Sequence, residues 1–234
     1  MGSKSSSAVS SVLKLLYFLL PLCLVLFGAY FFYYHFTVQK KITKTKDDIA
    51  ILTKNVHAGL MGQKYKGFDS NFMAFSNYLP FDIIPKESGL GYQIPNRFDG
   101  KMIFYEAVGN QQERLLYFGL YKNQKKYKDV YKGVSSYVIL FTNLKKQECI
   151  AMAQTDWKEI SPQFLGQEAA YVNINSQQNG LFNLQNYILT DNQDETKYKT
   201  FDRGVVSRKP LTKQEAVNAC RCDGRNCRFA LKFL

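Results

Sequence analysis

Twenty-two consecutive residues, Leu15 to Phe36, read LLYFLLPLCLVLFGAYFFYYHF and contain no Lys, Arg, Asp or Glu. A helix needs about 20 apolar residues, each rising about 1.5 Å, to cross the hydrocarbon of a bilayer. No other feature constrains the chain as much: it predicts a transmembrane helix over residues 15–36 behind a short tail of residues 1–14. A cleaved signal peptide has a shorter apolar stretch, about 7–15 residues, followed by small residues at the cleavage site. Here the run ends in Tyr33, Tyr34, His35 and Phe36, which fits an aromatic belt at the membrane interface and a retained anchor. Pro21 lies inside the span and is the expected kink, because its ring removes one backbone donor from the helix.

Beyond the span the apolar pattern changes period. Val38, Ile42, Ile49, Leu52, Val56 and Leu60 recur at intervals of three, four and seven with Lys and Asp between them, as an amphipathic helix requires. Residues 37–60 are therefore expected to continue the span, giving one helix from about Val12 to Leu60, roughly 70 Å long. The six apolar residues are its expected packing and assembly face.

Residues 61–234 read as an α+β headpiece. NFMAFSNYL is a short helical candidate ended by Pro80. KMIFYEAV and RLLYFGLYKN alternate on either side of a GNQQ turn and predict a β-hairpin. SSYVILFTNL predicts a third strand, and LKKQECIAMAQTDW a helix covering one face of the sheet, capped by Asp156 and Trp157. AAYVNIN is a further strand in an Asn- and Gln-rich region. Thr212 with Glu215 forms a capping box that opens TKQEAVNACR. After the CDGRNC turn, RFALKFL alternates as a strand with one buried face. The expected fold class is a long N-terminal helix packed on an antiparallel sheet.

Five cysteines bear on the compartment. Cys23, within the span, is expected to pack as a small apolar residue. Cys149, Cys220, Cys222 and Cys227 form an even set compatible with two disulfides in three pairings. The expected pairs are Cys149 with Cys220, closing a long loop, and Cys222 with Cys227 across the tight turn. Zinc would need Cys149 as a fourth ligand beside an irregular Cys-x-Cys group, so no metal is expected. Oxidised pairs place the headpiece in the periplasm or at the cell surface. Lys40, Lys41, Lys44 and Lys46 follow the span while Lys4 and Lys14 precede it, an asymmetry that alone would keep the headpiece in the cytoplasm. That rule weakens for long segments, and the cysteines decide the orientation.

The net charge of +12 admits an acidic partner. The lysines are spread over Lys40–Lys66 and Lys122–Lys146 without an Arg stripe interleaved with aromatics, so nucleic acid has no specific support. Catalysis has little to stand on: the histidines are His35 and His57, and HExxH, P-loop and G-x-S-x-G patterns are lacking. Asp47 and Asp48 are neighbours on a helix and diverge by about 100°, so they are expected to be solvated or to pair with Lys44 and Lys54. No enzyme, cofactor or small-molecule substrate is expected.

The order of these features resembles a type IV pilin, in particular the type IVb group. The resemblance rests on the long helix, on Leu79-Pro80-Phe81-Asp82 after it, and on Asn96-Arg97-Phe98-Asp99-Gly100 entering the first strand. The Leu144–Trp157 helix with Cys149, and Cys220 before the closing strand, complete it. The sequence departs from that family in its leader: Gly2 is too early, Gly28 lies inside the span, and no Glu occurs before Glu87. The resemblance implies a subunit of a type IV pilus-like filament or related envelope secretion apparatus, in the bacterial inner membrane, partnered by copies of itself or related subunits. A membrane-tethered module capturing an acidic ligand or an envelope partner is the alternative.

Overall fold

The computed structural model describes residues 5–60, 65, 68–89, 91–107, 136–171, 199–201 and 204–234. Its first element, α1, is a single 56-residue helix, Ser5–Leu60, so it starts seven residues before the expected Val12 and continues through Pro21. The chain divides into two compact units, Met1–Lys40 and Lys41–Leu234. The amphipathic end of α1 from residue 41 onward thus belongs to the headpiece unit.

In the first unit, the described side chains from Tyr17 to Phe36 are exposed apart from half-buried Gly28 and Tyr34. An apolar helix exposed all round is the pattern of a segment whose solvent is lipid or a partner helix. It is the one described helix long and apolar enough to cross a membrane.

The second unit is built on one antiparallel sheet. The remaining elements in chain order are α2 (Ser70–Phe75), β1 (Lys86–Ser88), β2 (Gly91–Pro95), β3 (Lys101–Ala107), β4 (Ser136–Leu144), α3 (Lys146–Ala153) and α4 (Trp157–Ile160). They continue with β5 (Phe164–Tyr171), β6 (Lys199–Phe201), β7 (Gly204–Ser207), α5 (Lys213–Ala219) and β8 (Cys227–Phe233). The strand order is β1-β2-β3-β4-β8-β5-β7-β6, so β8 enters between β4 and β5.

Register explains why β4 and β8 are rich in Phe, Ile, Val and Leu. On one face Tyr137 pairs with Phe233, Ile139 with Leu231 and Phe141 with Phe229. The other face carries Val138, Leu140 and Ala230, which join Ala107, Leu165, Ala170, Val206 and Leu234 in a second apolar cluster. Strands buried on both faces lose the polar alternation of a half-exposed sheet. RFALKFL was expected to bury one face, yet Lys232 and Ala230 are as buried as Phe229 and Leu231, all at 0% exposure.

Helices close the first face. Met73 of α2 and Trp157 of α4 are buried, and the Trp157 indole N–H donates to the Met152 carbonyl at 3.0 Å while its ring lies 6.1 Å from Phe229. Asp156 caps this separate helix by accepting from the backbone amides of Lys158 and Glu159, rather than capping the helix that carries Cys149. That helix, α3, starts after Leu144, which is still strand. The capping box at Thr212 and Glu215 opens α5 as the sequence predicts. The α2 helix stops at Phe75, five residues short of Pro80: Ser76 turns to extended backbone at ψ 152°, and its hydroxyl donates to the Met73 carbonyl. The expected GNQQ turn and RLLYFGLYKN strand, and the Val172–Asn175 part of AAYVNIN, lie outside the described residues.

Candidate functional site

The pattern of residues 41–60 dictates which side of α1 enters the headpiece. Ile42, Ile49, Leu52 and Val56 are buried at 4% exposure or less, with Thr45 and Thr53 between them returning their hydroxyls to Lys41 and Ile49 carbonyls. Leu60 is half-buried, and Val38, in the first unit, is buried. The stripe from Ile42 to Val56 is buried within the chain, so these residues pack the headpiece core.

A polar clasp fixes this helix. Arg97 donates through Nε and Nη2 to the two oxygens of Asp48 at 2.7 and 2.8 Å, and through Nη2 to both oxygens of Asp82 at 2.8 Å. Asp48 is therefore not solvated or paired with a helical lysine; its carboxylate serves the headpiece loop. Two carboxylates on one guanidinium raise the Arg97 pKa, through the Asp48 bonds first, and the bonds from Arg97 hold Asp82 below the usual carboxylate value of 3.8.

The loop that aims Arg97 is built by Asn96. Its side-chain oxygen accepts from the amides of Phe98 and Gly100 at 2.8 and 2.9 Å, and its amide donates to the Thr142 and Lys101 carbonyls. A residue of this kind mimics a backbone turn with its own side chain. Gly100 lies so close to β4 that a Cβ there would run into the Thr142 carbonyl. Asp99, at φ 61°, then presents its carboxylate to Arg225 at 3.1 Å and Lys41 at 3.4 Å. Burial pushes the Asp99 pKa up, but Arg225 and Lys41 outweigh it and hold the carboxyl below its ordinary value. Arg225 also donates to the Phe98 carbonyl at 2.8 Å.

Arg225 belongs to the CDGRNC turn, which ties the clasp to the disulfides. Cys149–Cys220 and Cys222–Cys227 are both formed, as the spacing predicts, and join α3 to the end of α5 and the turn to β8. The sulfurs of Cys149, Cys220 and Cys227 lie within 4.8 Å of one another, but both pairs are oxidised, so they are not a free ligand set. Cys23 is unpaired and exposed on α1.

Asn96–Gly100 and Leu79–Asp82 stand out in the sequence as motifs, but only the fold shows that Arg97 joins Asp82 to the helix. The clasp leaves an apolar pair outside. Within the turn closed by the Ile83 amide and the Pro80 carbonyl, Ile83 is buried while Phe81 is 98% and Ile84 70% exposed. His57 is half-buried on α1.

Comparison with protein-family models, with curated proteins and with solved structures finds no match to this chain. The class defined by the fold is an α+β headpiece carried on one long helix that is long and apolar enough to span a membrane.

Proposed function

We propose that the chain is a structural or assembly subunit of a type IV pilus-like filament or related envelope secretion apparatus. It is held in the bacterial inner membrane with its headpiece in the periplasm or at the cell surface. The observation that carries this reading is that one helix does two jobs: α1 exposes apolar side chains over its first part and buries Ile42, Ile49, Leu52 and Val56 in the headpiece over its last. A simple tether would need no such continuity, because a flexible linker connects an anchor to a folded domain as well. The disulfides support the oxidising compartment.

The second reading, a membrane-tethered binding module, is favoured by Phe81 and Ile84, which stand out on a loop that Arg97 and Ile83 hold in place. Rigid apolar anchors of this kind make interface hot spots.

Cys23 separates the two. Mild oxidation of native membranes should give products cross-linked through this exposed thiol if α1 packs against α1 of another copy or of a related subunit. The Cys23→Ala chain should not. A chain that stays monomeric under those conditions, and also when Leu24 or Phe27 carries the thiol instead, would refute the assembly reading.

A further inference from the structure

The two disulfides are not independent staples. Cys227 belongs to one bond, and Cys149 and Cys220 form the other, yet these three sulfurs all lie within 4.8 Å of one another. Those three residues are sealed at 0% exposure, whereas Cys222 keeps 6% and adjoins exposed Asp223 and Gly224. The bond nearer the surface therefore lies beside a bond that solvent does not reach.

We propose that the four cysteines form a thiol–disulfide exchange relay, in which an external low-molecular-weight thiol attacks Cys222 and Cys227 passes the exchange to the inner Cys149–Cys220 bond. In the first step a thiolate attacks Cys222 Sγ. A mixed disulfide forms there, the Cys222–Cys227 bond breaks, and its electron pair leaves on Cys227 as a thiolate. In the second step that thiolate attacks Cys149 or Cys220 Sγ. A crossed bond to Cys227 forms, the Cys149–Cys220 bond breaks, and the other cysteine departs as the thiolate. Two disulfides and one thiolate stand on each side, so no oxidant is consumed. Access selects the sulfur attacked first, and thiolate character sets the rate.

Two consequences follow from the geometry. A chain that closes with a wrong pairing among the three clustered cysteines can re-pair in place, without unfolding. A small thiol at the surface also gains chemical access to the bond that joins α3 to α5, although neither sulfur of that bond is exposed.

The full-length chain in detergent, with Cys23→Ala to remove the unrelated thiol, tests this in two variants. Cys222→Ser leaves Cys227 as a permanent free thiol. Near pH 8.5, close to the ordinary cysteine pKa of about 8.5, acid quenching, alkylation and peptide mass mapping should find crossed Cys149–Cys227 or Cys220–Cys227 bonds in more than about a tenth of chains. Cys227→Ser leaves Cys222 free instead, and only Cys149–Cys220 should be found, because Cys222 is not one of the three clustered sulfurs. A Cys222→Ser chain with Cys149–Cys220 alone overturns the relay. Should either variant lose its near-ultraviolet circular dichroism, the Cys23→Ala chain with limiting glutathione decides. Glutathione on Cys222 together with a crossed bond supports the relay. Glutathione first on Cys149 or Cys220, or two stable thiols at Cys222 and Cys227, overturns it.

Discussion

Replacing Arg97 by Met keeps the aliphatic stem and removes the cation that two carboxylates share. Asp48, whose side chain is 9% exposed, would be left as a buried charge with its main partner gone; the Arg97 side chain is itself only 20% exposed. Breaking a buried pair by deleting one partner costs about 3–5 kcal/mol. Discounted for the water that reaches Arg97, the expected loss is about 2–4 kcal/mol. With a urea dependence of about 2 kcal/mol per molar, the unfolding midpoint of the full chain in detergent should fall by about 1–2 M. The acid limb supplies a second readout. The folded pKa of Asp82 is lowered, so its contribution is fully present above the ordinary value of 3.8 and is lost as pH falls through the folded value. Arg97→Met should remove that part of the acid sensitivity and flatten the stability curve below about pH 4. The double variant Arg97→Met with Asp48→Leu should recover much of the loss, because an apolar pair replaces an orphaned charge. A midpoint unchanged by Arg97→Met, or a double variant worse than the single one, would refute the clasp.

The Tyr137 hydroxyl is buried and has no hydrogen-bond partner among the described residues, and burial pushes its pKa well above 10.0. Tyr137→Phe should therefore leave thermal stability unchanged or raise it by up to about 1 kcal/mol; a clear fall in the melting midpoint would show that the hydroxyl is satisfied. The disulfides should differ in worth by the loops they close, 71 residues apart for Cys149–Cys220 and 5 for Cys222–Cys227. The joint change of Cys149 and Cys220 to Ser should cost about 4 kcal/mol and that of Cys222 and Cys227 about 2 kcal/mol, read as non-reducing denaturation midpoints, and equal losses would contradict that ordering.

The helix was legible because its signal is periodic and local: Leu15–Phe36 by length, and Ile42, Ile49, Leu52 and Val56 by spacing. β3, β4 and β8 could be read from their apolar content, and the Thr212 cap from two residues at fixed separation. The short strands β1, β2, β6 and β7 carry little pattern in three to five residues each, and Pro95 ending β2 reads as a loop. The clasp was invisible for another reason. Arg97 reaches Asp48 across 49 positions and Asp82 across 15, and Arg225 reaches Asp99 across 126. Charge pairing at such separations leaves no trace in local sequence, so Asp48 looked like a solvated helix residue. The same distance hid the closeness of the disulfides: their pairing follows from spacing, their adjacency from the meeting of α3, α5 and β8.

The central place of β8 sets the order in which the headpiece can be made. Its neighbours β4 and β5 are both complete before residue 172, yet the strand that joins them spans Cys227–Phe233. During synthesis the nascent headpiece holds two half-sheets with unpaired inner edges, that of β4 carrying Val138, Ile139 and Phe141. Such edges pair readily with other chains. Closure by a distant strand is also slow, since the whole intervening loop must be ordered first. The headpiece should thus fold only after β8 is released, and holding the growing chains apart until then is a task that falls to whatever accompanies them during synthesis.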